Sequence, residues 1–158
     1  MLPVISPSFR TGAREGFREF LPLSVGLIPW ALVTGMSMVS VGFTPLQAMG
    51  MNIIVFAGTA QLGTLPLIAA GAPLWLIVVT ALALNLRFVI FSAAIAQGFR
   101  GLGHRARWLS GHLLTDGVFA TCVAKMMQND DRHWRLGYFL APSIWSWLLW
   151  QSFALTGV

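Results

Sequence analysis

Two charged side chains, Arg87 and Asp116, lie inside long apolar stretches of this sequence. An arginine within the hydrocarbon of a membrane costs about 3 kcal/mol even on a lenient insertion scale, so it normally faces a buried partner, a water-filled cavity or an anionic ligand. Arg87 is therefore the first candidate for a substrate-binding residue; the alternatives are a structural ion pair and snorkelling to the interface. Asp116 is the only acid within an apolar stretch, which suggests that it pairs with Arg87.

Two further polar side chains accompany these charges. His112 precedes Asp116 by four residues, so the two share a face if one helix carries both. In a wet site such a pair relays protons, which makes Asp116 and His112 candidates for proton coupling, whereas close to the interface His112 is simply solvated. Asn85, a second candidate substrate-binding residue, precedes Arg87 by two residues, and a regular helix points them about 200° apart. Either they have separate partners or the helix is irregular here.

A third polar interruption is the run Ala57-Gly58-Thr59-Ala60-Gln61-Leu62-Gly63, which Pro66 follows closely. Two glycines, a hydroxyl, an amide and a proline are hard to reconcile with an unbroken helix in lipid, so we predict a discontinuous helix whose freed backbone groups line a cavity. Amide donors at a half-helix N-terminus suit a carboxylate, and unwound carbonyls suit an ammonium group. Gly58, Thr59 and Gln61 are thus candidate substrate-binding residues. The alternative is a close-packed helix crossing in which Gln61 bonds to a neighbouring helix.

The elements that must position these residues are membrane helices. Of the 158 residues, 56% are hydrophobic and only 9% are charged, and no charged residue lies between Glu19 and Arg87, whereas a soluble domain has about 25% charged residues. We predict an all-α, polytopic membrane protein with about five transmembrane segments, the second of them discontinuous. The segments are expected at residues 20–41, 45–71, 73–97 and 109–127, and from residue 137 onwards.

We make two further predictions, one for each end of the chain. Residues 1–19 are expected to form an N-terminal amphipathic juxtamembrane segment with Ser8 as a helix N-cap, either lying at the membrane surface or extending as a solvated arm. Residues 20–158 form the transmembrane domain, expected to be incomplete because the chain stops in an apolar stretch. Basic residues occur in both the 99–108 and the 125–135 regions, so the positive-inside tendency does not choose an orientation.

Other classes of function fit these residues poorly. The sequence pI of about 11.2 comes from basic residues that lie between the apolar stretches, where topology places them, so no nucleic-acid partner is expected. The single cysteine, Cys122, excludes an internal disulfide. The histidines are too dispersed for a metal site, and one intramembrane acid is too few for an aspartyl protease. We therefore expect neither an enzyme nor a cofactor.

Three motifs, taken in order, resemble the AzlC family of branched-chain amino acid exporters, the azaleucine-resistance permeases. They are Phe56-Ala57-Gly58-Thr59-Ala60-Gln61, Asn85-Leu86-Arg87 and Leu114-Thr115-Asp116. The opening region from Gly12 to Gly35, with Pro22 and Pro29, is similar too, so the resemblance covers roughly residues 10–127. The chain differs from the family's pattern at Trp30-Ala31, Phe88 and Gly117.

The resemblance implies a multi-pass permease of the bacterial inner membrane that exports leucine, isoleucine, valine and sometimes methionine. It also implies a small, separately encoded membrane subunit of the AzlD type as partner. Gly58, Gln61, Asn85, Arg87 and Asp116 match the motif residues by position. Family members are typically longer by two or so spans, which agrees with an incomplete C-terminus. The competing interpretations are a non-transporting membrane subunit or scaffold, and a permease for another small amphipathic solute.

Overall fold

The computed structural model describes residues 6–101 and 103–158, the side chains of residues 105 and 106 excepted. Within these residues all regular structure is helical, so the predicted all-α fold is confirmed. The α-helices are α1 Pro7–Ser40, α2 Pro45–Val55, α3 Gly58–Ala69, α4 Leu74–Ile95, α5 His104–His112, α6 Asp116–Gln128 and α7 Arg132–Thr156, and a 3-10 helix, Ala96–Phe99, follows α4.

The chain folds into two compact units. The first unit comprises Met1–Ser24 and Phe88–Ser146, and the second comprises Val25–Arg87 and Trp147–Val158. Because α1, α4 and α7 each cross a boundary, each contributes residues to both units. The largest fully buried apolar side chains of the first unit are Phe20, Val118, Met126, Tyr138 and Phe139. The second unit has two buried clusters, one of Ala31, Phe56, Trp150 and Ala154 and one of Met38, Ala48 and Leu65.

Helix α1 begins earlier than the predicted first span. Its N-cap is Ser6 and not Ser8, because Ser6 Oγ accepts a hydrogen bond from the N–H of Phe9 at 3.2 Å, and Pro7 takes the first helical position, where its missing N–H has no cost. The described part of the predicted segment 1–19 is therefore the start of a long helix, while residues 1–5 lie outside the described residues.

In the first unit, the start of α1 packs against the start of α7. The two backbones approach so closely that a methyl group on Gly12 or Gly16 would collide with the backbone carbonyl of Trp134 or Tyr138. The same closeness applies from the other side, where a methyl group on Gly137 would collide with the backbone of α1. The face of α1 that carries Gly12 and Gly16 is thus packed on α7, and the juxtamembrane position of residues 1–19 stays a prediction.

Helix α4 has the length and the composition of the predicted third span. The helical run Leu74–Phe99 has a mean hydropathy of 2.2 over its most apolar window, and no residue of that window is buried inside the protein. Leu82, Val89 and Ile90 are 64%, 67% and 69% exposed, and an apolar surface of this extent is typical of a helix that faces lipid or another protein. Pro7–Ser40 is also long and apolar enough to cross a membrane. The count of five spans stays a prediction.

The predicted fourth span is not one helix. Helix α5 ends at His112, and α6 begins at Asp116 with Thr115 as its N-cap, whose Oγ1 accepts from the N–H of Val118 at 3.3 Å. Leu113 and Leu114, which connect the two helices, are apolar because they are buried. The sequence therefore stays apolar across the break and gives no sign of it. The basic loop predicted at 99–108 is also shorter, because α5 already begins at His104.

Asp131 caps α7 and gives the fold a dependence on pH. Its Oδ1 accepts from the N–H groups of His133 at 2.8 Å and Trp134 at 3.2 Å, and its Oδ2 accepts from the hydroxyl of Ser8. The Ser8 hydroxyl, and after it the Trp134 amide, holds the pKa of Asp131 below its ordinary value of 3.8. The stability from this carboxylate is therefore fully present above that ordinary value and is lost as the pH falls through the lowered pKa of the folded state.

The expected result is a weaker loss of stability in acid for Asp131→Asn than for the wild type. The measurement is the unfolding midpoint of the detergent-solubilised protein as the pH is lowered from about 6 to about 3. Asp130→Asn is the matched control, since it removes an equal charge one residue earlier. Equal pH dependence in all three proteins would contradict the role of Asp131.

Candidate functional site

The second apolar stretch is broken where the sequence predicts. Helix α2 ends at Val55, Phe56 adopts a left-handed conformation (φ 40°, ψ 42°), Ala57 is extended, and α3 begins at Gly58. A left-handed conformation costs a non-glycine residue on the order of 1 kcal/mol. Phe56 is 6% exposed within the buried cluster of the second unit, and this burial offsets the cost. The predicted discontinuous helix is confirmed.

Helix α3 begins at Gly58, and a glycine is needed at this position because two indole rings lie against its backbone. A methyl group at this position would collide with the rings of Trp150 and Trp30. The first N–H groups of any helix lack intrahelical partners, and the N-cap residue Ala57 supplies no side-chain acceptor for them. The break thus places backbone donors beside two aromatic rings, which is the arrangement expected for an anion or a carboxylate at a half-helix N-terminus.

Three amide side chains of the second unit form what we term the amide cluster: Asn52 of α2, Gln61 of α3 and Gln151 of α7. Gln61 Nε2 donates to Asn52 Oδ1 at 2.8 Å, and Gln151 Nε2 donates to the backbone carbonyl of Asn52 at 3.1 Å. Asn52 and Gln61 have no exposed surface, and Gln151 is 8% exposed. The hydrogen bond from Gln61 joins the two halves of the broken helix, α2 and α3. Both predicted features of Gln61 are therefore present: it lies next to a helix break, and it is bonded to a neighbouring helix.

Every member of the amide cluster also has a buried atom without a hydrogen-bond partner among the described residues. These atoms are Asn52 Nδ2, Gln61 Oε1 and Gln151 Oε1, and the indole Nε1 of Trp150 is in the same state. Buried polar groups are almost always paired, and an unpaired one costs about 1–3 kcal/mol. Four such atoms around one helix break are typical of a site that a polar ligand or ordered water completes.

Arg87 and Thr59, both predicted to bind substrate, are in contact. Arg87 Nη2 donates to Thr59 Oγ1 in the first turn of α3. Helix α4 is continuous from Leu74 to Ile95, so the alternative of an irregular helix at 85–87 is wrong and Asn85 and Arg87 point to different surroundings. The Oδ1 atom of Asn85 is buried and without a partner among the described residues.

The predicted substrate-binding residues therefore form two groups within the second unit. Thr59 and Gln61 are two residues apart on α3, so their side chains point about 200° apart. Arg87 binds the Thr59 side, and the amide cluster lies on the Gln61 side. Gly58 at the break lies next to Trp150, which has one of the unpaired atoms.

The predicted proton-coupling residues do not share a helix face. His112 is the last residue of α5 and Asp116 the first of α6, so the i,i+4 relation does not hold. His112 lines an open cavity of about 600 Å³ together with His104 and Arg107, and its role in proton coupling stays a prediction. Asp116 lies at the N-terminus of α6, where the helix dipole stabilises its negative charge. Asp116 belongs to the first unit and Arg87 to the second, and their pairing stays a prediction.

Sequence patterns do not single out Asn52, Trp150 or Gln151, although all three belong to the site. Gln151 follows Asn52 by 99 positions, and no local spacing rule connects residues so far apart. A usable signal exists nonetheless: Gln151 is the one amide in the C-terminal apolar stretch, and a strongly polar side chain in a membrane segment is a candidate functional residue.

The comparison with protein families decides the identity of the chain. The model of the AzlC family, described as "AzlC protein", matches residues 22–158. This chain belongs to the AzlC family. Membership confirms the resemblance of the three motifs and, with the helical fold, makes this AzlC chain a membrane protein.

Individual relatives agree with this family membership. Inner membrane protein YgaZ of Escherichia coli (strain K12) is 30% identical over 139 residues, covering 86% of this chain and 56% of that protein. A membrane protein of Archaeoglobus fulgidus is 32% identical over 110 residues, covering 70% of this chain and 48% of the relative. One from Helicobacter pylori (strain 26695) is 26% identical over 112 residues, covering 71% and 49%. This AzlC chain thus spans about half the length of these relatives, and no solved structure matches it.

One departure from the expected family pattern, Gly117, lies among apolar side chains. The resemblance leads us to expect a second acid here, and a side chain at this position would meet the terminal methyl of Leu23 and lie close to the ring of Phe20. All three residues belong to the first unit. A larger residue next to Asp116 would therefore have to displace the exposed side chain of Leu23.

Proposed function

We propose that this protein is a secondary transporter that exports branched-chain amino acids, namely leucine, isoleucine, valine and sometimes methionine. It acts as a multi-pass permease of the bacterial inner membrane together with a small AzlD-like membrane subunit. The observation that carries the proposal is the broken helix of α2 and α3 with unpaired polar atoms buried beside it, in a member of the AzlC family. Discontinuous helices of this kind build the substrate sites of many secondary transporters.

The chemistry of the site matches the three parts of such a substrate. The N-terminus of α3 at Gly58 supplies donors suited to a carboxylate, and Arg87, bonded to Thr59, is proposed to hold this first turn of α3 in its binding position. The amide oxygen of Gln61 is an acceptor suited to an ammonium group, and Phe56 and Trp150 supply apolar surface for the side chain. One methylene in an apolar pocket changes binding by only about 1–3 kcal/mol, so we expect leucine, isoleucine and valine to compete with one another.

Asp116 is proposed to carry the coupling proton. It is the one carboxylate within an apolar stretch of the sequence, and secondary transporters use such acids as proton carriers. In this account Asp116→Asn blocks active export but leaves exchange of substrate across the membrane intact, because exchange needs no net proton movement. His112 is proposed to pass the proton between Asp116 and solvent.

The test measures the isoleucine content of bacterial cells that are fed an isoleucine-containing dipeptide. Cells without the transporter accumulate isoleucine as the dipeptide is hydrolysed, and a working exporter lowers the plateau. The chain is expressed alone, with an AzlD-like subunit, or not at all. The proposal predicts a lower plateau only when both proteins are present.

Two results would contradict the proposal in different ways. An unchanged plateau in every combination, with both proteins present in the membrane fraction, would exclude isoleucine export and favour a scaffold or another solute. A lower plateau with this chain alone would retain export and exclude the requirement for the partner subunit.

A further inference from the structure

We propose that the amide cluster and Trp150 form an uncharged site that binds both ionised ends of a net-neutral amino acid. The proposal rests on the proposed function and adds the groups that recognise the substrate and the rule by which they select it. Three of these residues, Asn52, Trp150 and Gln151, lie outside the motifs that identify the family. The inference stands on their burial and on the four atoms that have no hydrogen-bond partner in the part of the chain that the structure describes.

The unpaired atoms comprise two donors and two acceptors. Asn52 Nδ2 and Trp150 Nε1 are donors, and Gln61 Oε1 and Gln151 Oε1 are acceptors. A zwitterionic amino acid presents the complementary set, since its carboxylate accepts hydrogen bonds and its ammonium group donates them. The two ionised ends of one such molecule thus match both kinds of unpaired atom, whereas a carboxylate or an amine alone matches only the donors or only the acceptors.

This balance does not depend on how the amide groups are oriented. Exchanging oxygen and nitrogen in both Asn52 and Gln61 preserves their hydrogen bond and still leaves one donor and one acceptor unpaired. The orientation of the Gln151 amide is fixed, because its partner, the backbone carbonyl of Asn52, can only accept a hydrogen bond. Trp150 has only a donor to offer. The site thus keeps two donors and two acceptors in either orientation.

The absence of charge in the cluster determines which ligands it accepts. Arg87 is the one charged residue in the sequence of the second unit, and it binds Thr59 on the opposite side of α3 from Gln61. A site without formal charge has no counter-ion for a net cation or a net anion, and burying an unpaired charge is costly. A zwitterion brings equal and opposite charges and needs only hydrogen bonds.

The neighbours of the cluster favour an apolar substrate side chain. Trp150 belongs to the buried group with Ala31, Phe56 and Ala154, against which Trp147 and Phe153 also pack. The same residue therefore offers a hydrogen-bond donor at its indole N–H and an apolar ring face. The site is expected to bind amino acids with aliphatic side chains in preference to glycine or serine.

The test measures binding of radiolabelled L-leucine to the purified protein with its AzlD-like subunit in lipid nanodiscs. Competitors are L-isoleucine as a zwitterion, leucinamide as a net cation and 4-methylpentanoate as a net anion. The proposal predicts that isoleucine displaces leucine and that the two charged analogues do not at about a hundredfold excess. This competition profile needs no variant, so it stays informative if a variant fails to fold.

Variants then locate the site. Gln61→Leu and Gln151→Leu are expected to weaken leucine binding at least about tenfold each, because a hydrogen bond to a charged group is lost. Thr64→Val is the matched control, since Thr64 is buried on the same helix as Gln61 but its hydroxyl donates within its own helix, to the carbonyls of Ala60 and Gln61. Its binding is expected to stay within about twofold of the wild type.

The outcomes separate this inference from the proposed function. Leucine binding that is equally strong in Gln61→Leu, Gln151→Leu and Thr64→Val would overturn the site and leave the function standing, as would displacement by leucinamide or 4-methylpentanoate. Binding of another zwitterionic amino acid in place of leucine, lost in Gln151→Leu, would support the site and overturn the substrate class. If no zwitterionic amino acid binds, water molecules are the hydrogen-bond partners of the four atoms. That result would contradict both the proposed site and the proposed transport of amino acids.

Discussion

The proposed export of branched-chain amino acids is expected to fall at least about tenfold in Arg87→Ala, while the amount of protein in the membrane stays unchanged. Arg87 donates to Thr59 Oγ1 and so joins α4 to the first turn of α3, directly at the helix break. A hydrogen bond from a charged group contributes about 1.5–3 kcal/mol, and each 1.4 kcal/mol is about tenfold in an equilibrium. The measurement is the isoleucine plateau of dipeptide-fed cells, normalised to the protein in the membrane fraction.

Failed insertion does not explain such a loss, because removing an arginine from a membrane helix lowers the insertion cost by about 3 kcal/mol. Arg100→Ala is the control, since it removes the same charge from an exposed position after the 3-10 helix. Thr59→Val tests the contact from the other side and is expected to give a smaller loss, because the guanidinium is retained. Unchanged export in both Arg87→Ala and Asp116→Asn would remove both residues from the transport mechanism.

Gly16→Ala is expected to destabilise the protein by about 1–3 kcal/mol, although a single methyl group is added. The methyl group meets the backbone carbonyl of Tyr138, and a carbonyl held in helix α7 cannot rotate away as a flexible side chain can. Gly12 meets α7 in the same way, so Gly12-x-x-x-Gly16 is a small-residue motif of the kind that lets membrane helices approach closely. The measurement is the unfolding midpoint in detergent.

The same substitution at Gly26 is the matched control for Gly16→Ala. Gly26 also lies in α1, but beyond its own turn of helix no atom of the described residues lies within 4 Å of a methyl group built on it. Gly26→Ala should therefore stabilise the protein by about 0.5–1 kcal/mol through helix propensity alone. The two variants thus shift the midpoint in opposite directions, and a shift in the same direction for both would contradict the close crossing of α1 and α7.

The helix break at residues 56–57 could be predicted from sequence because its causes are local. Gly58, Gln61 and Gly63 place flexible and polar residues in an apolar run, and a lipid-facing helix tolerates such a run poorly. The start of α6 had a local signal as well, because Thr115 followed by Asp116 is a typical N-cap and first-turn pair. The apolar residues Leu113 and Leu114 concealed it, since periodicity does not distinguish a buried turn from a helix.

The amide cluster could not be predicted from sequence because its contacts are tertiary. Asn52 and Gln151 meet only after α2 and α7 have packed in the second unit. The Gly12 and Gly16 motif is the opposite case: its spacing is readable in the sequence, but that spacing does not name the helix it meets. Arg87 shows both limits, since its unfavourable position in an apolar helix marks it as functional, whereas its contact with Thr59 requires the fold.

The most direct measurement of the central claim is efflux of radiolabelled leucine from proteoliposomes that contain this protein and an AzlD-like subunit. The account predicts saturable efflux that unlabelled isoleucine and valine inhibit, that exceeds the efflux from protein-free liposomes, and that Arg87→Ala abolishes. Efflux at the protein-free rate, with both proteins correctly inserted, would contradict the claim that this protein transports branched-chain amino acids.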